Sequence, residues 1–242
     1  MLAAGKGERF RKQYTEPKPL IIVDGKAMVV RASEFLPDAS QYVYLCLSEH
    51  LHAPYLLDKK IKNFYPEAKI ISVDQVTLGQ ASTAFLAKDS IDPNASLTIA
   101  SCDCGALYDK KAFIDLLDDS KTDAIVWTFR NNVAVKKNPN AWGWVKANKD
   151  GFVEKISVKA PISDDVMNDH AIIGWFSFKK ADDCFLGIEE MIADQDMVNN
   201  EYYLDRLLAR MVSSGKNVRI FEVDTYLGWG TPEDLQAYEK KS

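Results

Sequence analysis

Along the 242-residue chain, short apolar runs bounded by turn residues alternate with stretches whose apolar positions recur three and four apart. The first pattern reads as strand and the second as helix. Strands are predicted at Tyr42 to Leu47, Lys69 to Val73, Leu97 to Ser101 and Ala124 to Arg130. Helices are predicted between them at about Ala53 to Phe64, Ala81 to Lys88 and Lys110 to Leu117. Such alternation predicts an α/β layer structure with a largely parallel sheet. From Trp142 to Phe178 the pattern changes to strands and turns, with Trp144 to Ala147 and Phe152 to Val158 flanking a turn at Asn148 to Gly151. Helices return at Ala181 to Ala193 and Glu201 to Ser213, followed by a strand at Val218 to Val223 and a helix after Pro232, whose fixed φ suits a first turn. No repeat, low-complexity segment or linker interrupts the chain, so one domain spanning 1–242 is expected.

The first thirty residues do not fit the alternation. Ala3-Ala4-Gly5-Lys6-Gly7-Glu8-Arg9-Phe10 is followed by Glu16-Pro17-Lys18-Pro19-Leu20 and Val23-Asp24-Gly25-Lys26. Small residues let backbone N–H groups approach an anion closely, and Arg9 and Lys18 add fixed positive charge, so this is a candidate polyphosphate cradle. It is neither of two familiar phosphate loops. A Walker loop ends in Gly-Lys-Ser/Thr, which is absent, and a dinucleotide fingerprint needs a small residue where Phe10 stands. Only Met1 and Leu2 precede Ala3, so the strand that feeds such a loop is expected to be truncated or missing, and its complete absence would leave the loop poorly anchored.

Composition narrows the classes. With 47% hydrophobic residues the chain can bury a substantial core, and no apolar run approaches the roughly 20 residues that span a bilayer. No leader pattern is present, so the cytoplasm is the expected compartment and no membrane partner is implied. A net charge of -5 with dispersed lysines argues against nucleic acid. Cys46, Cys102, Cys104 and Cys184 are too few and scattered for a disulfide scaffold, and reduced thiols are expected. Cys102-Asp103-Cys104, with no second pair, makes a poor zinc clip.

Taken together, Leu2 to Phe10 and Glu16 to Met28 resemble the signature of the nucleotidyltransferases that make activated sugars and related compounds. Three further blocks are similar to that family, in its order: Thr77 to Ala84, the strand-bearing segment Leu97 to Cys104 with Asp103, and Tyr226-Leu227-Gly228-Trp229-Gly230-Thr231-Pro232-Glu233-Asp234-Leu235. The resemblance implies a three-layer α/β/α Rossmann-like nucleotidyltransferase fold with a mixed, mainly parallel sheet. It implies a nucleotide-binding half at 1–135 and an acceptor-binding half at 136–242. The activity implied is Mg²⁺-dependent transfer of NMP from an NTP to a sugar 1-phosphate or another small phosphomonoester or phosphonate, with release of pyrophosphate. The partners are therefore a nucleoside triphosphate and a phosphorylated small molecule, and a homo-oligomer is compatible with the family.

Roles follow from charge. Arg9 is assigned to the departing pyrophosphate and Lys18 to bridging the attacking and α-phosphates, held rigid between two prolines. Ala3, Ala4, Gly5, Lys6 and Gly7 form the cradle, with Lys6 either a contact or a solvated loop residue. Asp103, at the carboxyl end of its strand, is the candidate Mg²⁺ ligand or else a turn aspartate. The family's second metal carboxylate aligns with Gly228, so Asp224 is the substitute ligand, or an acceptor contact, or a strand end. Gln75 and Gly79 are expected beside the base, and Thr77 to Ala84 with Trp229 to Pro232 look most similar to the family's branch of cytidylyltransferases of capsule and phosphonate-type pathways, so CTP is favoured over UTP or dTTP. Gly143 and Lys159 are expected at the acceptor. Val158 replaces a glutamate that would hold sugar hydroxyls, and Trp142 and Trp144 either flank the acceptor or are core. Asp205 is a helix-face charge or borders the acceptor. Two alternatives remain: a glycosyltransferase using a nucleotide sugar, and a catalytically silent nucleotide-binding regulator.

Overall fold

The computed structural model describes residues 1–240. In chain order its elements are β1 (Leu2–Ala3), β2 (Ile22–Val23), β3 (Lys26–Ala27), α1 (Met28–Ser33), β4 (Val43–Leu47), α2 (Ser48–Leu51), α3 (Leu57–Lys62) and β5 (Lys69–Val73). Then come α4 (Gln80–Phe85), β6 (Leu97–Ala100), β7 (Cys104–Leu107), α5 (Lys110–Asp118), β8 (Ala124–Phe129), α6 (Ala134–Lys137), β9 (Gly143–Ala147) and β10 (Val153–Val158). The chain ends with β11 (His170–Phe178), α7 (Ala181–Ala193), α8 (Leu204–Ser213), β12 (Val218–Glu222), β13 (Thr225–Gly228) and α9 (Pro232–Glu239). These form two compact units that interleave along the chain. The first comprises Met1–Thr77, Ala100–Leu107 and the segment from Tyr226 on; the second comprises Leu78–Ile99 and Tyr108–Thr225. This is a division by packing, whereas the expected 1–135 and 136–242 halves divide the chain by the ligand each is expected to bind.

The first unit holds a parallel sheet in the order β1-β4-β5. β4 is apolar because four of its five residues are buried. Of the two expectations for the first strand, the structure has the truncated one: β1 is two residues long, but it has chain on both sides, so the loop after it is not left unanchored. Leu2 pairs with Leu45 in β4 and bridges Ser101 in parallel. The Met1 amine donates to the Val43 carbonyl at 2.8 Å, and Leu45 N donates to the Met1 carbonyl at 3.1 Å. Two buried clusters support this sheet and its loops, one around Val29, Val30, Tyr44, Leu57 and Ile61, the other around Phe10, Met28, Trp229 and Leu235. The helix predicted at Ala53 to Phe64 is confined to α3, because Pro54 has no N–H to donate and Leu56 takes a left-handed φ of 49°.

In the second unit the sheet order is β10-β9-β11-β8-β12, with β6 on β11. The pairs β10–β9, β9–β11 and β11–β8 are antiparallel and β8–β12 is parallel, so the mixed character comes from the 142–178 segment. All six residues of β8 are buried, which accounts for a run that is apolar but for Thr128. Trp127 centres the core, with ring centroids 4.6 Å from Phe113, 4.8 Å from Phe221 and 5.3 Å from Trp175. Its indole N–H donates to Ser177 Oγ at 2.9 Å. α7 has the predicted limits, and α5 begins at an Asp109 cap whose carboxylate accepts from Lys111 N and Ala112 N.

All four cysteines are free and buried, and burial pushes the Cys46 thiol up to about 12 and that of Cys102 to about 11. Among the described residues no helix is long and apolar enough to cross a membrane.

Candidate active site

In a parallel sheet, ligands collect at the carboxyl ends of the strands. At that edge of the first unit lie the loop after β1, Gln75 just beyond β5, and Asp103 beyond Ser101. Ala3 and Ala4 are buried, so what they offer a ligand is backbone. Gly5 and Lys6 are exposed. A Cβ added at Gly5 would meet nothing within 4 Å, whereas Gly7 has φ of +63° and its Cβ would lie 2.7 Å from Lys18 Cβ. Gly7 is thus required by the protein itself, since the loop lies directly on the stem of Lys18.

Phe10, which rules out a dinucleotide fingerprint, is the anchor of this loop. It is 1% exposed, its N–H donates to the Gly7 carbonyl at 2.9 Å, and its carbonyl accepts from Gln13 and Tyr14, both at 2.9 Å. Burying a phenylalanine contributes roughly 1.5–3 kcal/mol, which offsets part of the cost of ordering a loop without regular structure. Lys18 opens a single 3-10 turn, Lys18–Leu20, framed by Pro17 and Pro19 as expected, with Leu20 N donating to the Pro17 carbonyl at 2.8 Å. Its ammonium lies 5.7 Å from the centroid of the Phe10 ring.

Lys18 Nζ donates to Oδ2 of Asp103 in a direct ion pair. Burial pushes the Asp103 carboxyl up, but the Lys18 charge and hydrogen bond, a hydrogen bond from Ser101 and the charge of Arg9 outweigh it and hold the group below the ordinary aspartate range. Arg9 itself is exposed. Asp103 is also fixed through its backbone, because its carbonyl accepts from Trp229 N at 2.8 Å. Trp229 is fully buried, and its ring centroid lies 5.4 Å from Tyr238 and 6.1 Å from Phe35. A Cβ at Gly230 would lie 3.4 Å from Asp103 Oδ2. Thr231 then caps α9, its hydroxyl accepting from Asp234 N at 3.1 Å. The Gly-Trp-Gly-Thr-Pro box therefore works as the support of Asp103.

Gly228 has its own reason. A Cβ there would lie 2.8 Å from Cε1 and 3.0 Å from Oη of Tyr226, so the ring occupies the space a side chain at 228 would need. Burial and the neighbouring Cys104 and Asp103 push the Tyr226 phenol well above its usual value, which keeps it a neutral hydroxyl. Nothing in its sequence context marks Tyr226 as a site residue.

The second unit holds Gly79, Gly143, Lys159 and Asp224. Gly79, at φ of +113°, is pressed on the Tyr202 backbone, where a Cβ would lie 2.6 Å from the carbonyl oxygen. Tyr202 N donates to the Leu78 carbonyl at 2.7 Å, and Ala81 N donates to the Tyr202 carbonyl at 3.0 Å. Gly143 is buried, and a Cβ there would run into the Asp205 carboxylate. Lys159 is turned back on its own unit, donating to the Ala141 carbonyl at 2.6 Å with its ammonium 5.3 Å from the Tyr203 ring centroid. Asp205 is 6% exposed and accepts from Arg206 N at 3.0 Å. Burial pushes its carboxyl up to about 6, although the Lys159 charge and backbone N–H groups oppose the shift. Of the two sequence readings of Asp205, a helix-face charge or a border of the acceptor, the burial and the contact with Gly143 come from tertiary packing. Trp144 is core, fully buried with its indole N–H on the Pro139 carbonyl at 3.0 Å, while Trp142 is half-buried against Phe129 at 5.2 Å. Asp224 is exposed between β12 and β13.

Among the described residues no group of three or more His, Cys, Asp or Glu side chains forms a metal cage. Mg²⁺ does not need one: it takes one or two carboxylates and fills its shell with water and substrate phosphates, so the Asp103 carboxylate beside the loop fits it.

No protein-family model matches the chain. Solved structures do. A nucleoside-diphosphate-sugar pyrophosphorylase from Vibrio cholerae RC9 superposes with a TM-score of 0.76 at 19% identity, covering 99% of this chain and 100% of that one. The inositol-1-phosphate CTP transferase from T. maritima gives 0.73 at 17%, covering 98% and 91%. HddC from Yersinia pseudotuberculosis complexed with GMP-PN gives 0.67 at 20%, covering 100% and 97%. The chain thus has the expected α/β fold, that of nucleotidyltransferases and sugar-nucleotide pyrophosphorylases.

Proposed function

We propose that the protein is a Mg²⁺-dependent nucleotidyltransferase that joins the NMP group of a nucleoside triphosphate to a phosphorylated small molecule and releases pyrophosphate. The observation that carries this is the Lys18–Asp103 pair, set beside the β1 loop and in reach of the Arg9 charge. In-line attack on an α-phosphorus asks the protein mainly to position and to neutralise. Asp103 would hold Mg²⁺, which would offset the charge of the triphosphate. The backbone of Ala3 to Gly7 receives the phosphates, Arg9 holds the leaving pyrophosphate, and Lys18 spans the attacking and α-phosphates. Gln75 and Gly79 serve the base, with CTP favoured and UTP or dTTP next. The T. maritima neighbour is named for CTP and the Yersinia one is complexed with GMP-PN, so the base preference rests on the likeness of Thr77 to Ala84 and Trp229 to Pro232 to the family's cytidylyltransferase branch.

The acceptor is a sugar 1-phosphate or another phosphomonoester or phosphonate, its phosphate met by Lys159 near Gly143. Asp224 is the second carboxylate candidate. One catalytic domain with halves at 1–135 and 136–242, acting in the cytoplasm, completes the proposal. The glycosyltransferase alternative is less well supported because its Asp-x-Asp metal motif is reduced here to one acid between two buried cysteines. The test is pyrophosphate release with Mg²⁺, each triphosphate in turn, against sugar 1-phosphates, amino-alcohol phosphates and phosphonates. Release that requires one triphosphate and one acceptor supports the proposal. Transfer from a nucleotide sugar without pyrophosphate would overturn it.

A further inference from the structure

The two residues the reaction most needs are bonded to each other. Asp103 is the group a divalent cation would need, Lys18 the group a phosphate would need, and each is the other's partner. The pair is built into the fold. Pro17 and Pro19 frame the Lys18 backbone, and Gly7 lies on its stem with a would-be Cβ 2.7 Å from Lys18 Cβ. Asp103 is pinned by Trp229 N on its carbonyl at 2.8 Å and by the Ser101 hydroxyl on its carboxylate. What remains movable is the end of the lysine chain. The two side chains are 15% and 21% exposed, so water only partly screens their attraction.

Resting on the function proposed above, we infer that the Lys18–Asp103 pair is a latch, closed to a free divalent cation and to a metal-free triphosphate, and opened by the metal–triphosphate complex. A free cation must displace Lys18, leaving an ammonium partly buried without its partner while the Arg9 charge also repels the newcomer. A charge stripped of its partner in a partly dry site is costly. A metal-free triphosphate can draw Lys18 away only by placing its own negative charge beside an unpaired Asp103 carboxylate. The complex brings a cation for Asp103 and an anion for Lys18 together, so neither group is left uncompensated. Metal loading and delivery of Lys18 to the phosphates become one event.

Two binding titrations test the latch from its two sides, neither of them reading turnover. Without nucleotide, Mn²⁺ followed by electron paramagnetic resonance is expected to bind Lys18→Met about tenfold tighter than wild type, since loss of an ion-pair competitor of this exposure is worth roughly that factor. The gain disappears when Asp103→Asn is added. In EDTA, CTP followed by calorimetry is expected to bind Asp103→Asn about tenfold tighter than wild type. Unchanged Mn²⁺ affinity in folded Lys18→Met, or unchanged CTP affinity in folded Asp103→Asn, overturns the latch. If one variant fails to fold, the other decides. Pyrophosphate release by the wild type is scored separately: both gains without release keep the latch and discard the transferase, and release without the gains does the reverse.

Discussion

The loop-and-lysine centre of the first unit and the Gly143–Asp205 corner of the second solve opposite electrostatic problems. In the first, a carboxylate is surrounded by positive charge and held below its ordinary range; in the second, a carboxylate is buried and pushed up to about 6. The glycines differ in the same way. Gly5 faces open space, as expected where a ligand must approach, while Gly143 is small because the Asp205 carboxylate fills the place of its side chain. A glycine in a candidate site is therefore no evidence of ligand approach until its neighbours are known.

The largest effect that bears on this contrast is on turnover. Lys18→Ala and Asp103→Ala are each expected to lower kcat by roughly a hundred- to a thousandfold, the range for removing one preorganised charge from a transition state. Circular dichroism should stay that of the wild type. Full turnover in either variant would move the chemistry away from the first unit.

Next comes the pH dependence of stability set by Asp205. Its carboxyl titrates at 3.8 in the unfolded chain and at about 6 in the fold, so its contribution to stability is complete below the lower value and is lost as pH rises through the higher. Over that window the loss is about 3 kcal/mol, because each tenfold change in proton affinity is worth roughly 1.4 kcal/mol. Asp205→Asn has no such loss, so its stability relative to wild type is expected to improve by that order between pH 4 and pH 7 in urea unfolding. A difference that stays flat with pH would show that the carboxylate is not buried as described.

Gly143→Ala places a methyl group against Asp205 and is expected to cost about 1–3 kcal/mol, as overpacking does. Introducing the same change in an Asp205→Ala background should recover most of it, and failure to do so would break the proposed contact. The smallest stability effect belongs to Gly5→Ala, expected within about 0.5 kcal/mol of wild type because nothing there is crowded and φ is not positive. Its turnover should nevertheless fall, since a methyl group would stand where phosphates approach.

These differences also explain what was legible in the sequence. The first centre lies in contiguous segments with backbone requirements of their own: Pro-Lys-Pro fixes a turn, and the box from Gly228 to Leu235 announces a capped helix. The limits of α7, over a long periodic pattern, and of β5, over a short run rich in β-branched residues, are likewise legible to the residue. What escaped depends on pairs far apart in sequence. β7 and β13 are four-residue strands that exist because they pair with each other. Tyr226 fills the space at Gly228, Trp229 holds the Asp103 carbonyl, and Asp205 lies against Gly143; none of these has a local signal. The two residues of β1 are too few for a pattern, so only their pairing on both sides shows that the first strand is short rather than absent.

Whether the charged centre of the first unit transfers a nucleotidyl group is tested most directly by phosphorus NMR of one incubation containing the wild type, Mg²⁺, CTP and the accepted phosphate ester, run beside Asp103→Ala. Inorganic pyrophosphate and a new diphosphate-linked product are expected to rise in equal amounts with the wild type, and neither with the variant. Products that form equally well with Asp103→Ala, or CTP consumed to CDP and phosphate with no diphosphate-linked product, would contradict nucleotidyl transfer at this centre.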